Sequence, residues 1–140
     1  MSDEAINWAV VIAEYIGEDD VLTEYDVFSD VNSRRKYEGK GTIEVGLEKT
    51  DSTTFLDGSA RQRYNYRVFI RNKRFEDVQI AVRVVATDVK RLLNTERRSG
   101  TLQSFTITEL GIENDVIGMT AGASFTGYLK VTIDEGIVSV

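Results

Sequence analysis

The chain of 140 residues contains no cysteine, no histidine and no proline. Without cysteine it can form no disulfide, no thiolate nucleophile and no cysteine-ligated zinc site. Without histidine it lacks the usual proton shuttle and the commonest metal ligand. The sequence also lacks the spacings of dinucleotide-binding, Walker, zinc-protease, hydrolase and EF-hand motifs. We therefore expect no enzyme, no cofactor and no metal.

Long apolar runs are also missing, since no stretch of about 18 apolar residues is present to span a bilayer. The sequence starts MSDEAINWAVV, with acids where a signal peptide carries positive charge. With 41% hydrophobic residues, the chain is long enough for one core and short for two. We expect a single domain over residues 1–140, made in the cytoplasm, with no membrane partner.

Charge is abundant but unevenly distributed along the chain. Residues 1–31 hold nine acids and no base, residues 32–108 have a net charge of +7, and residues 109–140 have −4. One molecule thus offers acidic and basic surfaces, which suits head-to-tail association with copies of itself. The alternative is that these segments neutralise one another within a monomer.

The segment FLDGSARQRYNYRVFIR, residues 55–71, alternates between two sets of side chains. The apolar set is Tyr64, Tyr66, Val68 and Ile70. The other set carries the charge: Arg61, Arg63, Asn65, Arg67, Phe69 and Arg71. Because strand side chains alternate between two faces, this predicts a strand with its apolar face on the core. The arginine face then lies in water, or meets acidic groups or phosphates of another molecule.

The remaining periodicities predict an α+β fold with the order helix, strand, strand, strand, helix, strand, strand. Apolar residues at helical spacing predict helices over 3–16 and 75–93. The second helix has a polar side expected to face solvent, with Arg83, Asp88, Lys90 and Arg91. We expect a mostly antiparallel sheet of four to five strands with both helices on one face. Polar loops at about 50–60 and 94–101 are expected to be mobile.

The segment Phe55 to Ser59, the alternating strand to Arg71, and the amphipathic helix FEDVQIAVRVVATDVKRLLN resemble the tail-completion proteins of long-tailed bacteriophages. With the order of elements over nearly the whole chain, they are similar to the tail terminators among these minor capsid proteins. The resemblance implies subunits that form a closed ring, expected to be a hexamer. Such a ring caps the tail tube and joins it to the head–tail connector protein.

Several further expectations follow from this resemblance. The partners would be other copies of the chain, the tail tube protein and the connector protein, and the location would be the tail–head joint of the virion. The subunit interface would join the arginines to acids of the adjacent subunit: Arg61, Arg63, Arg67 and Arg71 with Asp19, Asp20 and Glu24. The arginines could instead line the ring opening. The resemblance specifies no role for residues 17–33.

Two other classes of protein fit the same residues. A small nucleic-acid-binding module could use the arginine row to hold phosphates, although the acidic ends oppose a polyanion, so we do not expect direct nucleic-acid binding. A nonviral adaptor or immunity protein could use the same fold.

Overall fold

A computed structural model describes residues 6–29, 41–115 and 124–138 of the chain. These residues form two α-helices, a short 3-10 helix and five strands. In chain order the elements are α1 (Trp8–Gly17), the 3-10 helix (Asp20–Leu22), β1 (Tyr25–Ser29), β2 (Gly41–Thr54), β3 (Ala60–Asn72), α2 (Phe75–Arg98), β4 (Ser104–Asp115) and β5 (Ser124–Val138).

The five strands form one sheet in the order β1-β2-β3-β5-β4. The pairs β2–β3, β3–β5 and β5–β4 are antiparallel, whereas β1 runs parallel to β2, with Tyr25 opposite Gly41. The predicted layout, a mostly antiparallel sheet, was therefore wrong: the sheet is mixed and β5 lies between β3 and β4. Alternation identifies the two faces of a strand but not the direction of its neighbour, because parallel and antiparallel strands share the period of two.

Both helices differ in length from the prediction. Helix α1 begins at Trp8, since the side chain of Asn7 caps it by accepting a hydrogen bond from the Val10 N–H at 3.4 Å. Residues 3–5 of the predicted helix lie outside the described residues. Helix α2 continues to Arg98, five residues beyond its predicted end. Acids occupy its first turn and Arg97 and Arg98 its last turn, the arrangement that the helix dipole favours. The loop predicted over 94–101 is thus helical as far as residue 98.

The connection between β2 and β3 is a tight turn rather than a long loop. Strand β2 continues to Thr54, and Thr54 lies opposite Ala60. The Phe55 N–H donates to the Ser59 carbonyl at 2.8 Å, and Gly58 has a φ of 87°, which glycine adopts without strain. Residues 50–54 of the predicted loop are therefore strand, and the mobility of both loops stays a prediction.

The core lies between one face of the sheet and the two helices. Its largest fully buried side chains come from α1, α2, β2, β3 and β5: Trp8, Ile12, Ile16, Ile43, Val45, Val68, Ile70, Val78, Val85, Leu93, Leu129 and Ile133. Gly127 of β5 lets α2 approach the sheet, because a Cβ there would lie 2.5 Å from a methyl group of Val82. In the described part of the chain, the other face of the sheet carries no helix, and we call it the open face.

Candidate subunit interface

The predicted arginine row lies on the open face. On β3 the side chains of Tyr66, Val68 and Ile70 are buried in the core. The alternate residues project from the opposite side, where cross-strand pairing brings polar groups of β2 and β5 beside them. One such row crosses three strands: Asn65 donates to Asp51 at 3.2 Å and accepts from Thr132 at 2.9 Å. The open face is therefore a hydrogen-bonded polar surface.

Arg61 and Arg63 both contact Asp134 of β5. The Arg61 Nε donates to the Asp134 Oδ2 at 2.8 Å, and its Nη2 donates to the same oxygen. The Arg63 Nη2 lies 3.6 Å from that oxygen. Sequence reasoning did not identify Asp134, which is only 4% exposed beneath the two guanidiniums. Two of the four predicted interface arginines thus share one buried acidic partner within their own chain.

The environment of Asp134 favours its charged form. Its Oδ1 accepts a hydrogen bond from the Gly136 N–H at 2.8 Å, so both carboxylate oxygens have donors. Burial by itself would raise the pKa of Asp134, but the hydrogen bonds from Arg61 and Gly136 and the nearby arginine charges hold that pKa below its usual value. Asp134 is therefore ionised, and it holds Arg61 and Arg63 at the start of β3.

Arg67 and Arg71 lie nearer the other end of β3. The Arg67 Nη2 lies 3.0 Å from Glu48 Oε1, in a pair whose side chains are 34% and 44% exposed. An ion pair this exposed contributes at most about 1 kcal/mol. The Arg67 Nε is buried and finds no hydrogen-bond partner among the described residues. The Arg71 Nε donates to Thr126 Oγ1 at 3.3 Å. The Arg67–Glu48 pair is therefore held less firmly than the contacts at Asp134.

The predicted acidic partners lie on the helical side of the molecule, around the 3-10 helix. Asp20 and Glu24 are exposed there. Asp19 caps the 3-10 helix by accepting from the Val21 N–H at 2.8 Å, and it also contacts Asp88 of α2. The hydrogen bond with Asp88, followed by that from Val21, lowers the pKa of Asp19. Asp19 is thus engaged within its own chain.

Asp88 was predicted to face solvent but is only 4% exposed. The corner between α1 and the 3-10 helix covers this position, in a cavity lined by Tyr15, Glu18, Asp19, Asp88 and Arg91. Burial, and then the adjacent Asp19, raise the pKa of Asp88 to about 7, and Arg91 at 3.7 Å only partly offsets them. Two neighbouring carboxyl groups therefore share this corner, and Asp88 keeps its proton below about pH 7.

An aromatic pair occupies the middle of the open face. Phe69 of β3 lies opposite Tyr128 of β5, with ring centroids 5.5 Å apart in an edge-to-face arrangement. The next pair along the same face is Arg67 with Lys130. Glu44 of β2 lies opposite Phe69 on the other side. Aromatic rings beside cations can stack on nucleic-acid bases while the cations hold the phosphates. The carboxylate of Glu44 would repel those phosphates.

No group of three or more acidic side chains able to hold a metal ion occurs within residues 6–29, 41–115 and 124–138. Neither helix in these ranges is long and apolar enough to cross a membrane.

The chain matches no protein-family model, and no curated protein is significantly similar to it in sequence.

Proposed function

We propose that this chain is a structural subunit of a bacteriophage tail, a tail terminator or tail-completion protein. Its copies form a ring that caps the tail tube and joins it to the head connector. The proposal starts from the resemblance of residues 55–71 and the helix that follows. The one-sided packing of the sheet supports it, because a subunit with one open face has a surface left for a neighbour.

The proposal is carried by two oppositely charged patches on different sides of the molecule. Each side also holds charges of the other sign, with Glu44, Glu48 and Asp51 on the open face and Arg83, Lys90 and Arg91 on α2. Arg67 and Lys130 lie on the open face, whereas Asp20 and Glu24 are exposed on the helical side. The open face of one copy can therefore meet the helical side of the next in a repeated orientation. Such a head-to-tail contact produces a ring when the rotation from each subunit to the next adds up to a full turn. The exposed Arg67–Glu48 pair is weak enough to exchange partners.

This arrangement narrows the interface expected from the sequence. Arg61, Arg63 and Asp19 have charged or acidic partners within the chain. Arg71 also has partners within its own chain. We therefore propose that Arg67 of one copy, whose ion pair with Glu48 is exposed, joins Asp20 and Glu24 of the next.

Capping of tail tubes tests the function directly. Where a tail tube protein is encoded beside this chain, the purified chain is mixed with tubes of that protein, and the tube ends are examined by negative-stain electron microscopy. We expect a ring of density at one end of each tube and an arrest of further elongation. Tubes that stay uncapped and continue to lengthen would refute the function. A major tail protein encoded directly downstream would support it independently.

A charge reversal tests the proposed contact. The double variant Asp20→Lys, Glu24→Lys places cations opposite Arg67 of the neighbour, so we expect it to abolish capping. Glu14→Lys is the matched control, because Glu14 is an exposed acid of α1 outside the 3-10 corner. Equal capping by both variants would show that the acidic corner is not the interface.

Binding of single-stranded nucleic acid is the second candidate, favoured by the Phe69–Tyr128 pair beside Arg67 and Lys130. The test is binding of a labelled single-stranded DNA at about 150 mM salt, where non-specific phosphate contacts are already weakened. Binding that disappears in the variant Arg63→Glu, Arg67→Glu would favour this candidate over the ring. Absence of binding by the unmodified chain would eliminate it.

A further inference from the structure

The turn between β2 and β3 presents two large apolar side chains at the end of the hairpin. Phe55 is 42% exposed and Leu56 is fully exposed. The turn is held by four hydrogen bonds: Phe55 N–H to the Ser59 carbonyl, Gly58 N–H to the Phe55 carbonyl, and the Ser59 N–H and hydroxyl to Asp57. These residues, Phe55–Ser59, form what we call the hairpin tip. Because the tip is already ordered, binding through it costs little conformational entropy.

A groove lies between the start of α2 and strand β4. Its cavity has a volume of about 260 Å³, and it is lined by Phe75, Gln79, Val82, Arg83, Glu109, Gly111 and Ile112. The lining is apolar at Phe75, Val82 and Ile112, and Arg83 is exposed beside it. Phe75, 45% exposed, is held edge-to-face against Phe125 at 5.7 Å. We call this feature the α2–β4 groove.

The tip and the groove lie at opposite ends of the same sheet. The tip immediately precedes β3, whereas α2 begins just after β3 ends at Asn72. Strand β3 has 13 residues, which at about 3.3 Å each separate its two ends by roughly 40 Å. The hairpin tip therefore cannot reach the α2–β4 groove of its own molecule.

We propose that the hairpin tip of one copy occupies the α2–β4 groove of a second copy. Leu56 would bury its side chain against Phe75 and Ile112, and the carboxylate of Asp57 would face the guanidinium of Arg83. The tip is complementary in polarity and charge to the α2 side of the groove, whereas Glu109 lines the β4 side. The contact uses different patches on the two molecules. It is head-to-tail, as a ring requires. The inference rests on the proposed function, whose subunit contact it identifies in part.

Cysteine cross-linking tests this contact, since the chain has no cysteine of its own. One preparation carries Leu56→Cys, a second carries Gln79→Cys in the groove, and the two are mixed and oxidised. We expect a disulfide-linked dimer containing one chain of each kind. The control is Ile80→Cys, because Ile80 is 57% exposed on α2 but does not line the groove. A mixed dimer as abundant with Ile80→Cys would overturn the proposal.

A second measurement does not depend on cysteine. Leu56→Glu places a charge where an apolar side chain would be buried, so self-association measured by sedimentation velocity should weaken roughly tenfold or more. Ile80→Glu adds the same charge to another exposed apolar position, and self-association should be unchanged. Because Leu56 is fully exposed in the single chain, its replacement should not disturb folding, and circular dichroism checks this. Equal weakening by both variants contradicts the proposal.

The outcomes separate this inference from the proposed function. If the chain caps tail tubes but Leu56 and Gln79 do not cross-link, the tip–groove contact is wrong and the function stands. If the two positions cross-link but tubes are not capped, the contact stands and the function is wrong.

Discussion

Two regions of this molecule bury an aspartate to the same extent but shift its pKa in opposite directions. Asp134, on the open face, and Asp88, on α2, are each 4% exposed. The pKa of Asp134 is lowered, whereas that of Asp88 is raised to about 7. Burial disfavours the charged form of both carboxyl groups. The difference therefore comes from what surrounds them.

The number of hydrogen-bond donors around each carboxyl group explains why the two pKa values shift in opposite directions. Asp134 accepts from Arg61 and from the Gly136 N–H, so both of its oxygens are satisfied. The Asp88 Oδ2 is buried without a hydrogen-bond partner in the described part of the chain, and its neighbour is another carboxyl group. Asp134 consequently stabilises the fold as an anion, whereas Asp88 is best accommodated with its proton. The exposure of a buried acid therefore does not by itself determine its charge state.

The largest effect should come from removing the anion at Asp134. Asp134→Ala leaves two guanidiniums and the Gly136 N–H without their acceptor, so we expect the free energy of unfolding to fall by about 2–3 kcal/mol. Urea denaturation at pH 7 measures this loss. Asp51→Ala is the control, because Asp51 pairs with Lys49 on the same face but is 47% exposed. Equal losses in both variants would mean that the arginines do not depend on Asp134.

The second effect concerns the proton held at the Asp88 corner. In the folded chain the pKa of Asp88 is about 7, well above its ordinary value of 3.8. Between these values the folded state binds more protons than the unfolded state, so the free energy of unfolding falls as pH rises from about 4 to about 7. Asp88→Asn cannot ionise, and its amide can donate to Asp19. We expect this part of the pH profile to flatten, with a gain of about 1–2 kcal/mol at pH 8.

The profile is obtained from urea denaturation at half-unit steps of pH, with Glu18, Asp19, Arg91 and Tyr15 left unchanged around the corner. Asp20→Asn is the control, because Asp20 is an exposed neighbour outside the cavity. A difference between the wild-type and Asp88→Asn profiles that stays constant between pH 4 and 7 would contradict the raised pKa of Asp88.

The sequence was most informative where a side chain's neighbours are close in the chain. Alternation along β3 correctly assigned Tyr66, Val68 and Ile70 to the core, and the arginines to the other face. The same local pattern could not identify Asp134, because 73 residues separate it from Arg61 and only the pairing of β3 with β5 brings them together. The alternation of apolar and polar residues thus predicted which side chains lie on the open face, but not which acid contacts the arginines there.

Asp88 shows a second limit of periodicity. Its position on α2 belongs to the polar stripe, and a helix considered alone would leave it in water. It is buried because the corner formed by α1 and the 3-10 helix lies over that stripe. The parallel pairing of β1 with β2 was missed for a related reason, since strand direction depends on how distant segments meet. In each case tertiary contacts determine what a local pattern leaves open.

The smallest effect should distinguish the two arginines that share Asp134. Arg61 makes direct hydrogen bonds to Asp134, whereas Arg63 lies 3.6 Å away with its side chain 47% exposed. Arg63→Gln should therefore change the free energy of unfolding by no more than about 0.5 kcal/mol. Arg61→Gln should raise the pKa of Asp134 further than Arg63→Gln does, as measured by NMR titration of the carboxyl carbon. Equal shifts would mean that the general positive potential of the open face, rather than the Arg61 hydrogen bonds, keeps Asp134 ionised.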